Sequence, residues 1–146
     1  MKQKNFFILA ASLLILTSGC STVEPAKHYG NRPLESFKSA YVVFAKDTTI
    51  GGYIAADLAR RNIKVNMGPL KEKPADVECY VIYTDGWSWD VAMYLDSLDV
   101  KFFDNSNGQV IASGSFRNSK IIESQPNPRA KTFEVIDSIY GTKPGN

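Results

Sequence analysis

The stretch DGWSWDVAMY, Asp85 to Tyr94, holds the densest group of side chains suited to recognition. Trp87 and Trp89 stand two apart, so on a strand they share a face, and Tyr94 follows from the opposite parity. Two indoles on one face can stack on sugar rings or anchor a protein, since each is a large rigid apolar surface with one polar handle. The same pair can instead cover the end of a sheet or pack under a helix. Trp87, Trp89 and Tyr94 are the candidate partner-binding residues. The acids around them form two pairs, Asp85 with Asp90 and Asp96 with Asp99. Two carboxylates at suitable separation can run glycoside hydrolysis, with Trp87 as a sugar platform. Acids near turns and on the solvent faces of strands are also ordinary.

Other constellations are incomplete. DNSNG, Asp104 to Gly108, has oxygen ligands at alternate positions, but its glycine falls at position 5 and Ser115 occupies position 12, where a calcium loop needs glycine at 6 and glutamate at 12. A hairpin turn explains the same residues. Gly51-Gly52 near a helix start lacks the fuller glycine fingerprints of phosphate loops, and close packing explains it. The single histidine, His28, lies in an aperiodic segment near the N-terminus, so no Ser-His-Asp triad is expected within the domain. Cys79 alone does not begin a zinc site, and its alternation with Val77 and Val81 assigns it to a core. The expectation is a non-enzyme with no catalytic residue, no metal and no cofactor.

The other cysteine ends an apolar run. Lys2 and Lys4 precede Phe6–Leu16, which is apolar but for Ser12, and small residues then lead to Cys20. That order fits a secretory signal, and the run is too short to span a bilayer. Thr17-Ser18-Gly19-Cys20 resembles the lipobox of bacterial lipoproteins, in which the cysteine becomes the lipid-bearing first residue after cleavage. Thr17 stands where that family usually has leucine. Ser21 in place of aspartate resembles proteins forwarded to the outer membrane. The resemblance implies a signal peptide over 1–19, lipidation of Cys20 and a domain facing the periplasm. Two or more acyl chains would make that attachment stable. Without residues 1–19 the chain carries fifteen basic and fifteen acidic residues, so net charge calls for neither nucleic acid nor an anionic surface.

Residues 20–32, with Pro25, Gly30 and few large apolar side chains, are expected to be a flexible tether behind the lipidated cysteine, and 33–146 a single domain. SAYVVFA (39–45) predicts a strand buried on both faces. A helix follows, opened by Asp47, Thr48 or Thr49, lined by Ile50, Ile54 and Leu58 and stopped at Asn62. IKVNM and VECYVIYT predict two more strands. Residues 85–104 are long for one strand: Met93 and Leu95 share one parity while Leu98, Val100 and Phe102 have the other, so a bulge or break is expected near Asp96-Ser97. VIASGSFR returns as a hairpin partner. Asn127-Pro128 opens a last helix with Ala130, Phe133, Ile136 and Tyr140 on its apolar side and Gly141 at its end.

The order strand, helix, four strands, helix predicts an α+β fold, one mixed sheet of about five strands with two helices on one face. LARRNIKV followed by ADVECYVIYT, and SLDVKFFDNSNGQVIASGSF, resemble the small envelope domains of the Tol translocation protein, the curli secretion lipoprotein and the lipoprotein activators of penicillin-binding proteins. The resemblance implies a fold and assigns no activity to particular residues. The functional expectation is a non-catalytic outer-membrane lipoprotein that binds or assists another envelope component, most simply a periplasmic or outer-membrane protein, with peptidoglycan a further candidate. The alternatives are an anchored immunity or inhibitor protein and a cell-wall glycan-acting enzyme.

Overall fold

The computed structural model describes residues 22–44, 46–119 and 125–141. The signal segment and Cys20 lie outside the described residues. Six strands and two helices follow in the order β1 (Thr22–His28), β2 (Ser39–Val43), α1 (Thr49–Arg60), β3 (Lys64–Gly68), β4 (Cys79–Trp89), β5 (Met93–Asp104), β6 (Val110–Arg117) and α2 (Pro128–Tyr140). They build one mixed sheet with spatial order β1-β6-β5-β4-β2-β3. β2 runs parallel to both β3 and β4, and the remaining pairs are antiparallel. The fold is α+β.

Local chemistry accounts for most element ends. The Asp47 carboxylate accepts the Thr49 N–H at 2.7 Å at the start of α1. Asn62 stops that helix in the left-handed region at φ 62°. Asn127 accepts the Ala130 N–H at 3.1 Å, Pro128 opens α2, and Gly141 closes it at φ 66°. Asp104 accepts from the backbone N–H and hydroxyl of Ser106, and Gly108 takes φ 70°, so DNSNG is the β5–β6 turn.

Both helices pack on one face of the sheet and against each other, α1 over β2 and β3 and α2 over β1, β5 and β6. Ile50, Ile54 and Leu58 of α1 meet Ala40, Val42, Cys79, Val81, Val100, Phe102, Ala112 and Phe116 of the sheet in one core. Gly51 lets α1 approach Tyr83 and Met67: a Cβ there would lie 3.0 Å from the Tyr83 hydroxyl.

Three expectations need correction. Residues 22–28 are not a free tether but a sixth, edge strand, paired with β6 from Thr22↔Arg117 to His28↔Ala112. Pro25 is accommodated because the register shifts between Glu24 and Lys27 on an edge. Residues 85–104 carry the irregularity expected at Asp96, but they also divide earlier, at 90–92. Asp85–Trp89 extends β4, the chain turns at 90–92, and β5 begins at Met93. The buried stripe of α2 keeps Ile136 from the expected set, but its other members are Thr132, Val135 and Ile139 in place of Ala130, Phe133 and Tyr140. Thr132 can be buried because its hydroxyl donates to the Pro128 carbonyl at 2.8 Å. Phe133 and Tyr140 flank the stripe, capped by the guanidinium groups of Arg60 and Arg61 at 4.4 and 4.5 Å from the ring centres.

Candidate functional site

β4 and β5 pair along their whole length, from Cys79↔Asp104 to Trp89↔Met93. The irregularity opposite Gly86 and Trp87 leaves Asp96 without a partner on β4, as the change of parity called for. Beyond it Trp87 faces Leu95 and Trp89 faces Met93, so these four share the side of the sheet on which the helices pack, while Tyr94 pairs with Ser88 on the opposite one.

The two tryptophans divide the roles that sequence left open. Trp87 is partly buried against the core beside fully buried Leu95, and its indole N–H donates to the Asp85 carboxylate. Trp89 is 71% exposed, and with Val91 at 86% and Met93 at 56% it makes an apolar tip. Tyr94 is half-buried on the other side. The hairpin therefore brings Trp87 and Trp89 onto one face but leaves one of them free. Val91 and Met93 escaped sequence reasoning because the turn at 90–92 carries neither glycine nor proline; their placement follows from the turn alone.

In each carboxylate pair, one acid is held by a structural partner. Asp99 makes a forked ion pair with Arg117, at 2.8 and 2.9 Å. Asp85 is held by Trp87. Asp85 and Asp90 stand five residues apart along strand and turn, on the order of 16 Å, well beyond the separations of a glycosidase pair. Elsewhere Asp57, fully buried, takes both Arg60 of α1 and Arg61 just after it, and Arg61 also reaches Asp137 of α2. Glu78 accepts the backbone N–H groups of Lys38 and Ser39. Burial pushes the Cys79 thiol up to about 12, which removes thiolate chemistry at neutral pH. His28 is exposed at the end of β1. Among the described residues no group of three His, Cys, Asp or Glu is placed to hold a metal.

Among the described residues, the sheet's other face carries no α-helix. Toward β1 it forms a shallow groove of about 240 Å³ lined by Glu24, Lys27, Tyr29, Lys101, Ser113 and Arg117. Charge of both signs lines it, and Glu24 accepts the Ser115 hydroxyl at 2.7 Å. Toward β2, Tyr80 and Phe103 stack across the strands at 4.8 Å.

No protein-family model matches the chain, and none of the curated proteins does. Among solved structures, two crystal forms of the PelC dodecamer from Paraburkholderia phytofirmans share its fold. Each superposes with TM-score 0.54 at 16% identity; one covers 81% of this chain and 95% of its own, the other 84% and 98%. A PDZ domain protein from Parabacteroides distasonis reaches TM-score 0.48 at 10% identity, over 81% of this chain and 35% of its own. No helix among the described residues is long and apolar enough to cross a membrane.

Proposed function

We propose that the chain is a non-catalytic outer-membrane lipoprotein, cleaved before Cys20, lipidated there, and facing the periplasm as an accessory to another envelope component. The observation that carries this reading is the division of labour among its side chains. Asp57, Glu78, Asp85, Asp99 and Asp104 are each engaged in holding an element or turn in place, while Trp89, Val91 and Met93 are held out into solvent on a paired hairpin. Such a domain is built to touch something and not to turn it over. The helix-free face, with its mixed-charge groove, is the surface it offers to a protein. PelC, a solved protein of similar fold, is a dodecamer, and self-association through the edges of β1 and β3 belongs to the same reading.

The test is metabolic labelling with palmitate followed by membrane fractionation. Wild-type protein takes up label and sediments with the outer membrane, and Cys20→Ser does neither. A Cys20→Ser protein that keeps the label defeats the anchor. Detergent-extracted wild-type protein is then weighed by light scattering, and a monomer that captures no envelope protein on cross-linking in cells defeats the accessory role.

A further inference from the structure

The register of the sheet fixes where the proposed anchor leaves the domain. Thr22 pairs with Arg117, Arg117 with Ser97, and Ser97 with Gly86, so these four residues form one row across β1, β6, β5 and β4. Cys20 lies two residues before Thr22 and can stand at most about 7 Å from that row. On the same side of the row, β4 runs on for three more residues and β5 for four, which carries Trp89 about 10 Å past the sheet. β1 and β4 are three strand spacings apart, roughly 14 Å. Thr22, two residues after Cys20, and the apolar tip therefore lie at one end of the domain.

The chemistry of the two ends differs in the same sense. Of the large apolar side chains exposed among the described residues, Tyr29, Leu70, Trp89, Val91 and Met93, three are at this tip. At the opposite end exposed Tyr29 stands among polar contacts: Arg32 reaches Glu78 and Asp104, and Asn105 bonds to the Ala75 and Val77 carbonyls. Between Trp87 and Leu95 the one charged residue is Asp90. A carboxylate in the turn suits headgroup depth, where indole is the favoured side chain and a charge still meets water.

We propose that the β4–β5 tip is a second membrane contact: Trp89, Val91 and Met93 enter the interfacial layer of the leaflet that holds the Cys20 lipid. The proposal rests on the lipidation of Cys20. Its partner is a phospholipid surface, and two contacts instead of one fix the domain's orientation, with the sheet's strands steeply inclined to the membrane and the helix-free groove facing sideways into the periplasm.

Brominated lipids test this, because bromine quenches indole emission only on close approach. The lipidated protein, purified from bacterial membranes, is reconstituted into phosphatidylethanolamine–phosphatidylglycerol vesicles with or without brominated acyl chains. The chain has two tryptophans, so Trp87→Phe leaves Trp89 as sole reporter and Trp89→Phe leaves Trp87; phenylalanine retains an aromatic ring at each position. Trp89 alone is expected to lose emission about twofold or more, as an indole at the interface should, and Trp87 alone to lose little. Asp90→Asn is expected to deepen the quenching. Mass spectrometry of the same sample reads the lipid separately. A lipidated Trp87→Phe protein with unquenched emission overturns the membrane contact and leaves the anchor standing. Emission that is blue-shifted yet unquenched overturns it in favour of a second copy or another protein covering the tip. A protein without lipid on Cys20 overturns both readings.

Discussion

Replacing Trp87 and Trp89 singly by alanine separates packing from exposure, because the structure gives the two neighbours different surroundings. An indole side chain offers up to about 250 Å². Trp89 stays 71% exposed, so it buries on the order of 70 Å², worth at most roughly 2 kcal/mol at ~25 cal/mol per Å². The alanine methyl retains part of that, and Trp89→Ala should cost about 1 kcal/mol. Trp87 packs on the core beside Leu95 and donates to Asp85. Emptying such a site costs about 3–5 kcal/mol, which includes the exchange of one hydrogen bond for water. Urea unfolding followed by far-ultraviolet circular dichroism should thus separate the variants by roughly 2–4 kcal/mol. Equal losses, or a loss at Trp87 below about 1 kcal/mol, would refute the division of roles.

Gly114 faces α2 so closely that an added Cβ would lie 2.7 Å from Ile139 Cγ1 and 3.2 Å from Val135 Cγ1; Gly114→Ala should destabilise by about 1–3 kcal/mol, and an unchanged urea midpoint contradicts that contact. Cys79 is 1% exposed with its thiol pushed up to about 12 by burial, so a Cys20→Ser protein should react with a disulfide reagent at pH 8 only as it unfolds; full reaction of the native protein would deny the core position. Asp47, Glu78 and Asp104 are held below the usual carboxylate range, chiefly by the Thr49 N–H, the Lys38 N–H and the Ser106 hydroxyl respectively. A folded value below the unfolded one adds stability that is present above about pH 4 and lost as pH falls through the folded values. Ser106→Ala should therefore move the acid-unfolding midpoint of the domain upward, and an acid titration with no shift would remove Asp104 from that account.

What was legible in the sequence was whatever the local chain decides. Asn62, Asn127 and Gly141 announce helix ends because only a short polar side chain or none suits a cap or a left-handed residue. Ile50, Ile54 and Leu58 face the sheet at ordinary helical spacing. What escaped depends on distant partners. TVEPAKH has little apolar pattern of its own and becomes β1 only because β6 offers a free edge. The face of α2 was misassigned because Phe133 and Tyr140 outweigh Thr132 on any hydrophobicity count. Arginines from α1 cover those rings, and Pro128 satisfies the threonine hydroxyl. The turn at 90–92 lacks glycine and proline, so its signal is the pairing of Trp89 with Met93, which needs both strands in place.

The bulge at Asp96 links fold to proposed function. Along β4 the helix-facing positions run Cys79, Val81, Tyr83, Asp85, Trp87 and Trp89 without interruption. Along β5 the matching positions are Phe102, Val100 and Leu98, and uninterrupted alternation would next place Asp96 and Tyr94 on that face. The one unpaired residue shifts the register, so Leu95 enters the core and Met93 comes to stand beside Trp89. A regular ladder would bring Tyr94 to the helix side and turn Leu95 and Met93 away, leaving the core short of a fully buried leucine. The requirement to bury Leu95 therefore selects the register that also gathers the apolar tip on one face, at the end of the sheet from which residue 22 begins.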